Sequence, residues 1–316
     1  MSGWKLSIGT AGAIGIRKLK TDALPTTAYI MLGEKCTRNC AFCAQAHAST
    51  AAAKFLSRVA WQDTSEDVSI EHLVETYKQG KIKRACLQVV NRPDSLETVK
   101  KAVKDLITAK LPVVVSGYIT SVKEAKELFD LGVDRIGLAM DVATPELFAK
   151  IKGGSWQKRW ELLCSCAAAF PGKMTTHLIV GLGETEEEMW NVIKECYVRD
   201  ITVGLFAFTP LPGTAMADRP QPKIGSYRRL QIALGLLKRA FSPDVVVCSG
   251  GEIVSFQVKN IAEVLADGEA FRTSGCHKCN RPFYNERPGQ ILYNYPRVLS
   301  PEELRQAFVE SEVVTW

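Results

Sequence analysis

The sequence predicts an α/β protein built as a parallel-stranded barrel, either (β/α)8 or a nearly closed (β/α)6–8 form, with a C-terminal extension. Three observations carry this. Short apolar runs alternate with amphipathic helical stretches over most of the 316 residues, the pattern of βαβ units and a parallel sheet. Seven or eight such units can be counted, which favours a barrel over an open doubly wound sheet. Polar and sulfur residues (Cys36 to Cys43, Asn91, Asp141, Glu184 and Cys248) gather at the predicted C-terminal ends of strands, where barrel enzymes place their chemistry.

Taken in order, "TAYIML" (27–32) reads as the first strand and ends just before a cysteine cluster. "SIEHLVETYKQG" (69–80) has helical spacing, "RACLQVV" (84–90) reads as a strand and "LETVKKAVKDLITAK" (96–110) as a helix. "LPVVVSGY" (111–118), "VKEAKELFDLG" (122–132) and "VDRIGLAM" (133–140) continue the alternation, followed by helical text through "RWELLCSCAAAF" (159–170). "MTTHLIVGL" (174–182), "TVGLFAFT" (202–209) and "DVVVCSGG" (244–251) read as further barrel strands, with helices at 185–199 and 224–240 between them. "GEAFRTSG" (268–275) reads as an eighth strand. The expected organisation is an N-terminal extension (1–25), a barrel (26–275) and a C-terminal segment (276–316), rich in Pro, Arg and Tyr, that wraps the barrel.

With 46% hydrophobic and 23% charged residues, the composition is that of an ordinary globular chain. The formal charge of +6 is spread without a polybasic block; it suits acidic protein partners and argues against nucleic acid. No run of about twenty apolar residues suggests a membrane span, and no signal peptide is read at the N-terminus, so a cytoplasmic location is expected. In that compartment the ten cysteines read as metal ligands or redox groups rather than disulfides.

Cys36, Cys40 and Cys43 follow a C-x-x-x-C-x-x-C spacing in "EKCTRNCAFCAQAH" (34–47). Three thiolates on one loop can hold three irons of a [4Fe–4S] cube and leave one iron open. The alternatives are chance clustering or a zinc site, for which His47 would have to complete four ligands. Cys164, Cys166 and Cys196 fall in predicted helices and read as small buried hydrophobes. Cys248, together with Cys276 and Cys279 of "CHKC", forms a second candidate metal set. It would be either an auxiliary iron–sulfur cluster, with a fourth ligand from Ser249, Ser274, Arg281 or substrate, or a zinc site that includes His277. His177 shares strand parity with Thr175 and is expected to face the interior, as a hydrogen-bonding or proton-shuttling group or as a satisfied core histidine.

"CTRNCAFC", with its aromatic before the last cysteine, resembles the signature of the radical S-adenosylmethionine (SAM) enzymes, and the likeness extends over roughly residues 27–275. The resemblance implies a TIM-type barrel, a [4Fe–4S] cluster whose open iron chelates SAM, and reductive cleavage of SAM to methionine and a 5′-deoxyadenosyl radical that abstracts hydrogen from unactivated carbon. It implies Phe42 near the adenine, and strand-end backbone at Val180, Gly181 and Glu184 ("LIVGLGET") against it, as in the biotin-synthase-like branch. A glycine turn between strand and helix explains that stretch equally. Asp141 matches a position contacting the SAM ribose; a helix N-cap is its plain alternative. Asn91, ending "QVVN", stands where the family usually shows a Gly-Gly-Glu-like segment for the SAM amino group, and only its position carries over.

Biotin synthase holds an auxiliary cluster on cysteines of successive strands. Cys86 matches the first of them, but "VVVSG" (113–117) and Thr175 stand where the others would be. Lipoyl synthases proper carry auxiliary cysteines before the SAM motif and end in a serine ligand; here no cysteine precedes Cys36, and "SEVVTW" is the end. The chain most resembles one component of the two-component lipoyl synthases, with "CNRPFYNERPG" and the nearby thiols as the supporting features. That likeness implies sulfur insertion into a protein- or peptide-bound octanoyl chain, with an auxiliary cluster as sulfur source. It also implies an octanoylated carrier protein or lipoyl domain as substrate, a second radical SAM chain, and reduced ferredoxin or flavodoxin as electron donor.

Overall fold

The valines of "VVVS" (113–116) lie at most 3% exposed, as a strand must when helices cover one face and a barrel interior the other. The computed structural model describes residues 4–286 and 289–314. Its strands are β1 (Trp4–Ser7), β2 (Thr27–Leu32), β3 (Phe55–Leu56), β4 (Val59–Thr64), β5 (Arg84–Val89), β6 (Val113–Ser116), β7 (Arg135–Gly137), β8 (Met174–Val180), β9 (Thr202–Ala207), β10 (Val246–Ser249) and β11 (Glu252–Phe256). The helices are α1 (Ile8–Ala13), α2 (Glu66–Lys78), α3 (Ser95–Thr108), α4 (Val122–Asp130), α5 (Pro145–Ile151), α6 (Trp156–Ala169), α7 (Glu186–Val198), α8 (Ile224–Leu237), α9 (Ile261–Val264) and α10 (Pro301–Val309).

One sheet runs in the order β3-β4-β1-β2-β5-β6-β7-β8-β9. The six strands from β2 to β9 pair in parallel, and β1 and β4 add an antiparallel edge beside β2. Side chains of β2, β5, β6, β8 and β9 line one central cavity, so the sheet curls around it as a partial barrel. Polar caps set the helix starts: Ser65, Ser121, Thr144, Ser155 and Thr185 each accept a backbone N–H with the side chain.

Two expected barrel strands are corrected. "DVVVCSGG" does contain a strand, but β10 pairs only with β11, as an antiparallel hairpin apart from the main sheet. The turn explains it: Gly250 and Gly251 have φ of +60° and +85°, the double left-handed conformation of the tightest hairpin turn, which Gly-Gly adopts freely. "GEAFRTSG" forms a single short turn of 3-10 helix at Glu269–Phe271 rather than a strand. The parallel barrel therefore stops at six strands. The hairpin and the later chain are used instead to cover α8, of which twelve residues are buried. Arg229 of α8 pairs with Glu186 at 2.5 Å in that cover, and the same carboxylate accepts Ile253 N–H of β11 at 3.0 Å.

Residues 272–286 close the gap that the missing strands leave. On the free edge of β9, Ser274 Oγ accepts Leu205 N–H at 2.7 Å, and Asn285 Nδ2 donates to Ala207 O at 2.6 Å. The segment then reaches the start of β2, where Asn280 Oδ1 accepts Thr26 N–H at 2.9 Å and its amide donates to Leu24 O and Pro296 O. Gly275 crosses β9 at φ +110°, where an added Cβ would stand 3.5 Å from Gly204 Cα. An Asn280→Ala variant removes the side-chain partner of a backbone donor and two carbonyls at a partly buried junction. It should lose about 1–3 kcal/mol in urea unfolding and become cleavable by protease within 272–286.

Candidate functional site

The loop after β2 carries Cys36, Cys40 and Cys43, and it is held from three sides. Buried Gln45 spans it, accepting Lys35 N–H at 3.0 Å and donating to Ala53 O and Phe55 O at 2.6 and 2.8 Å, while its carbonyl accepts Cys36 N–H at 2.7 Å. Asn91, two residues past β5, accepts Thr37 N–H at 2.9 Å with its backbone carbonyl and donates through its side-chain amide to Thr37 Oγ1. Ala41 N–H bonds Ile151 O of α5 at 2.7 Å, and Arg38 donates to Gly153 O at 2.8 Å.

All three cysteines line one cavity of ≈ 430 Å³, a size suited to a small molecule, with Phe42, Asn91 and Asp141 in the same wall. Burial pushes the Cys40 thiol up and Cys43 up to about 12, so a metal bound here displaces protons. His47 is exposed and outside that wall, so it does not complete a zinc site with them. Three thiols on one pinned loop, opening on a cavity with polar groups opposite, fit a cluster with one open iron.

Asp141 stands at φ +63°, just past β7, where its N–H and C=O bond His177 O and Ile179 N–H of β8. Lys152 Nζ reaches its Oδ2 at 2.6 Å while also donating to Ala139 O and Met140 O. The helix that follows is capped by Thr144, which removes the N-cap reading of Asp141. Lys152 itself is not legible as a site residue from the sequence; it falls at the end of α5, where a lysine reads as ordinary solvent-facing charge.

The loop after β8 is a tight turn closed by its own acid. Glu184 accepts Gly181 N–H at 2.6 Å and Leu182 N–H at 2.9 Å, so its carboxylate is spent on its own turn. Gly181 sits at φ +101°, with Pro222 2.9 Å from where a Cβ would lie. Val180, Gly181 and Glu184 line neither of the cavities described here; Ile179 does. Gly181 and Glu184 thus build the turn between β8 and α7, and the two readings of this stretch are compatible.

A second cavity, ≈ 210 Å³, fills the barrel interior and shares Phe42, Cys43, Leu56, Gln88, Ser116 and Asp141 with the first. Three further thiols line it: Cys86, Cys276 and Cys279. Cys86 points inward from β5, and the sealing segment carries Cys276 and Cys279 in to meet it. Burial raises the Cys86 thiol, and the neighbouring Cys276 and Cys279 raise it further.

The grouping of Cys248 with Cys276 and Cys279 is thereby corrected. Cys248 lies on the outer hairpin, with Glu187, Lys194 and Glu186 as its charged neighbours, and lines neither cavity. His277 is exposed, away from the interior wall that its neighbour Cys276 lines, and Ser249 is exposed on the same hairpin as Cys248. Ser274 already holds the β9 edge. Arg281 remains at the three thiols, its guanidinium 3.8 Å from the Phe206 ring centroid and bonded to Ser274 O at 2.7 Å. Among the described residues, no three His, Cys, Asp or Glu side chains converge as ligands of a single metal ion. Cluster ligands sit on separate irons and need not converge.

His177 faces the interior cavity and packs edge-on against Phe206 at 5.0 Å. Burial, with Arg281 adding to it, pushes the imidazolium down to about 4, so His177 is neutral at pH 7 and acts there as a hydrogen-bonding group.

A family model described as the radical SAM superfamily matches residues 30–196, more than half of the chain; the protein belongs to the radical SAM superfamily and is a radical SAM enzyme. Membership implies a [4Fe–4S] cluster and SAM. Among curated relatives, the chain is similar to a lipoyl synthase of Buchnera aphidicola, at 27% identity over 180 residues that cover 56% of this chain and 54% of the relative. It is also similar to a GTP 3′,8-cyclase of Limosilactobacillus fermentum, at 21% identity over 194 residues that cover 60% and 56%. The chain spans about half the length of these relatives. The solved FeFe-hydrogenase maturase HydG of Carboxydothermus hydrogenoformans superposes with a TM-score of 0.53 at 13% identity, covering 68% of this chain and 52% of that one, which speaks to fold alone. No described helix is long and apolar enough to cross a membrane.

Two predictions follow from this geometry. Replacing Cys36, Cys40 and Cys43 by alanine should abolish production of 5′-deoxyadenosine from SAM and reductant, whereas Cys248→Ala should leave both that activity and the iron content unchanged. For His177 the folded pKa lies below the usual 6.5, so the unfolded chain takes up the proton first. The stability that neutral His177 contributes is complete above about pH 6.5 and is lost as pH falls towards 4. Between pH 7 and pH 4 the wild type should lose about 1–3 kcal/mol more than His177→Gln in urea titrations.

Proposed function

We propose that this enzyme inserts sulfur into unactivated C–H bonds of a protein- or peptide-bound octanoyl chain, as one component of a lipoyl-forming pair. In this reading Cys36, Cys40 and Cys43 hold the SAM cluster, and an auxiliary [4Fe–4S] cluster is held by Cys86, Cys276 and Cys279. The observation that carries it is the shared wall between the two thiol sets. Phe42, Cys43, Gln88, Ser116 and Asp141 border both cavities, so a substrate carbon between them meets both groups at once. Reaction requires that closeness. When bound, the reduced SAM cluster with SAM supplies a 5′-deoxyadenosyl radical, and the auxiliary cluster supplies sulfide.

The protein's own residues do the rest. Asp141, held by Lys152, offers acceptors to ribose hydroxyls. Phe42 offers a ring face for adenine. Val114, Ile179, Phe206, Phe208 and Tyr284 make the interior wall apolar enough for an alkyl chain, and neutral His177 adds no charge beside it. Relatives named lipoyl synthase support the reaction class. The formal +6 charge suits an acidic carrier domain and an acidic electron donor such as ferredoxin or flavodoxin.

The test uses anaerobically purified chain with an octanoyl-lysyl peptide, SAM, reductant and the partner chain, followed by mass spectrometry. A thiolated octanoyl product at a yield limited by cluster content is expected. Cys86→Ala/Cys276→Ala/Cys279→Ala should remove roughly half the iron and all thiolation while SAM cleavage continues. Active SAM cleavage with no mass change on the octanoyl group would overturn the substrate and favour methyl transfer, rearrangement or lyase chemistry.

A further inference from the structure

Two polar side chains in the interior wall aim at the sulfurs of the auxiliary thiols. Tyr29 Oη lies 3.0 Å from Cys279 Sγ, and Gln88 Nε2 lies 3.0 Å from Cys86 Sγ. The sheet fixes both. Tyr29 of β2 pairs in register with Cys86 of β5, so the two project from the same face. Gln88, two residues after Cys86, lies on that face as well. Packing does not require either polar group, since phenylalanine or leucine would fill the same space in a wall that also contains Val114, Phe206 and Tyr284.

Resting on the auxiliary-cluster reading above, we propose that Tyr29 and Gln88 are positioning residues that hydrogen-bond the ligand sulfurs of Cys279 and Cys86. They would orient these thiolates and raise the reduction potential of the cluster bound there. A ligating cysteine has no proton, so the Tyr29 hydroxyl must be the donor and Cys279 sulfur the acceptor. The amide of Gln88 must likewise turn its NH2 to Cys86, because its oxygen would face a thiolate. A separation of 3.0 Å makes Tyr29 a donor to Cys279 rather than a ligand to another iron, since ligands on different irons stand farther apart than a hydrogen bond. Reduction adds negative charge to a group already carrying buried thiolates. Each donor stabilises that added charge, and the effect is strong where water is scarce.

The experiment isolates the second site by working in the full chain with Cys36, Cys40 and Cys43 replaced by alanine, reconstituted anaerobically with iron and sulfide. Iron content and the midpoint potential, followed by electron paramagnetic resonance, are then compared for Tyr29→Phe, Gln88→Leu and the double variant. Leu87→Val serves as a packing control on the opposite, helix-facing side of β5, outside both cavities. The expected result is a downward shift of the midpoint in each single variant, the shifts adding in the double, with Leu87→Val unmoved. Loss of iron from Tyr29→Phe at unchanged melting temperature also supports the proposal, because a residue that orients Cys279 is then needed to retain the cluster. Retained iron with an unchanged midpoint overturns it, as does an equal shift in Leu87→Val. Absence of iron from the parent background is a different failure and overturns the auxiliary cluster itself.

Discussion

Six parallel strands cannot close a barrel, and the free edge of β9 is the constraint from which the rest of this structure follows. An open edge exposes backbone donors and acceptors and lets water into the interior. Here the edge is paired with side chains rather than with another strand. Ser274 takes one N–H and Asn285 one C=O, while Asn280 fastens the same segment to the start of β2. The segment that satisfies the edge also carries Cys276, Cys279, Arg281 and Tyr284 into the cavity. Closing the barrel and completing the three-thiol site are therefore one event in folding.

That coupling explains which parts were legible in the sequence. Runs such as "TAYIML" and "VVVS" read correctly because strands buried on both faces are continuously apolar, and that signal is local. The SAM-cluster loop was legible for the same reason: its three thiols lie within eight residues. Cys86 matched one auxiliary cysteine of biotin synthase, but its grouping with Cys276 and Cys279 was not legible, because these lie far along the chain and only the sealing segment brings them together. A lone cysteine in a strand carries no local mark of function. Cys248 drew attention by standing at a strand end, but the strand belongs to another sheet. The signal that could have corrected this is the two-residue Gly-Gly between "VVVCS" and "EIVSF", a hairpin signature that conflicts with a barrel strand leading into a helix.

Glu184 and Asp141 show how differently two acids near strand ends can be used. Glu184 closes its own turn, and both its oxygens are spent on backbone N–H groups. One Asp141 oxygen meets Lys152, whose other bonds go to carbonyls, while the residue borders both cavities. The sequence assigned them different roles, but which carboxylate is free for the cavity depends on backbone conformation. The left-handed φ of Asp141 turns its side chain to the cavity, whereas Glu184 folds back over Gly181.

Charge within the barrel follows the same economy. Arg281 lines the interior cavity beside its thiols, and its guanidinium stands 3.8 Å from the Phe206 ring centroid and bonds a carbonyl. The imidazole beyond the same ring is held neutral by burial and by that arginine. Each cation so placed would otherwise demand water or a carboxylate as company. With the positive charge satisfied by a ring face and a backbone carbonyl, the interior wall formed by Val114, Ile179, Phe206, Phe208 and Tyr284 stays apolar. An apolar wall suits hydrogen-atom transfer, which moves no net charge and gains nothing from polar stabilisation, and it denies a carbon radical competing partners.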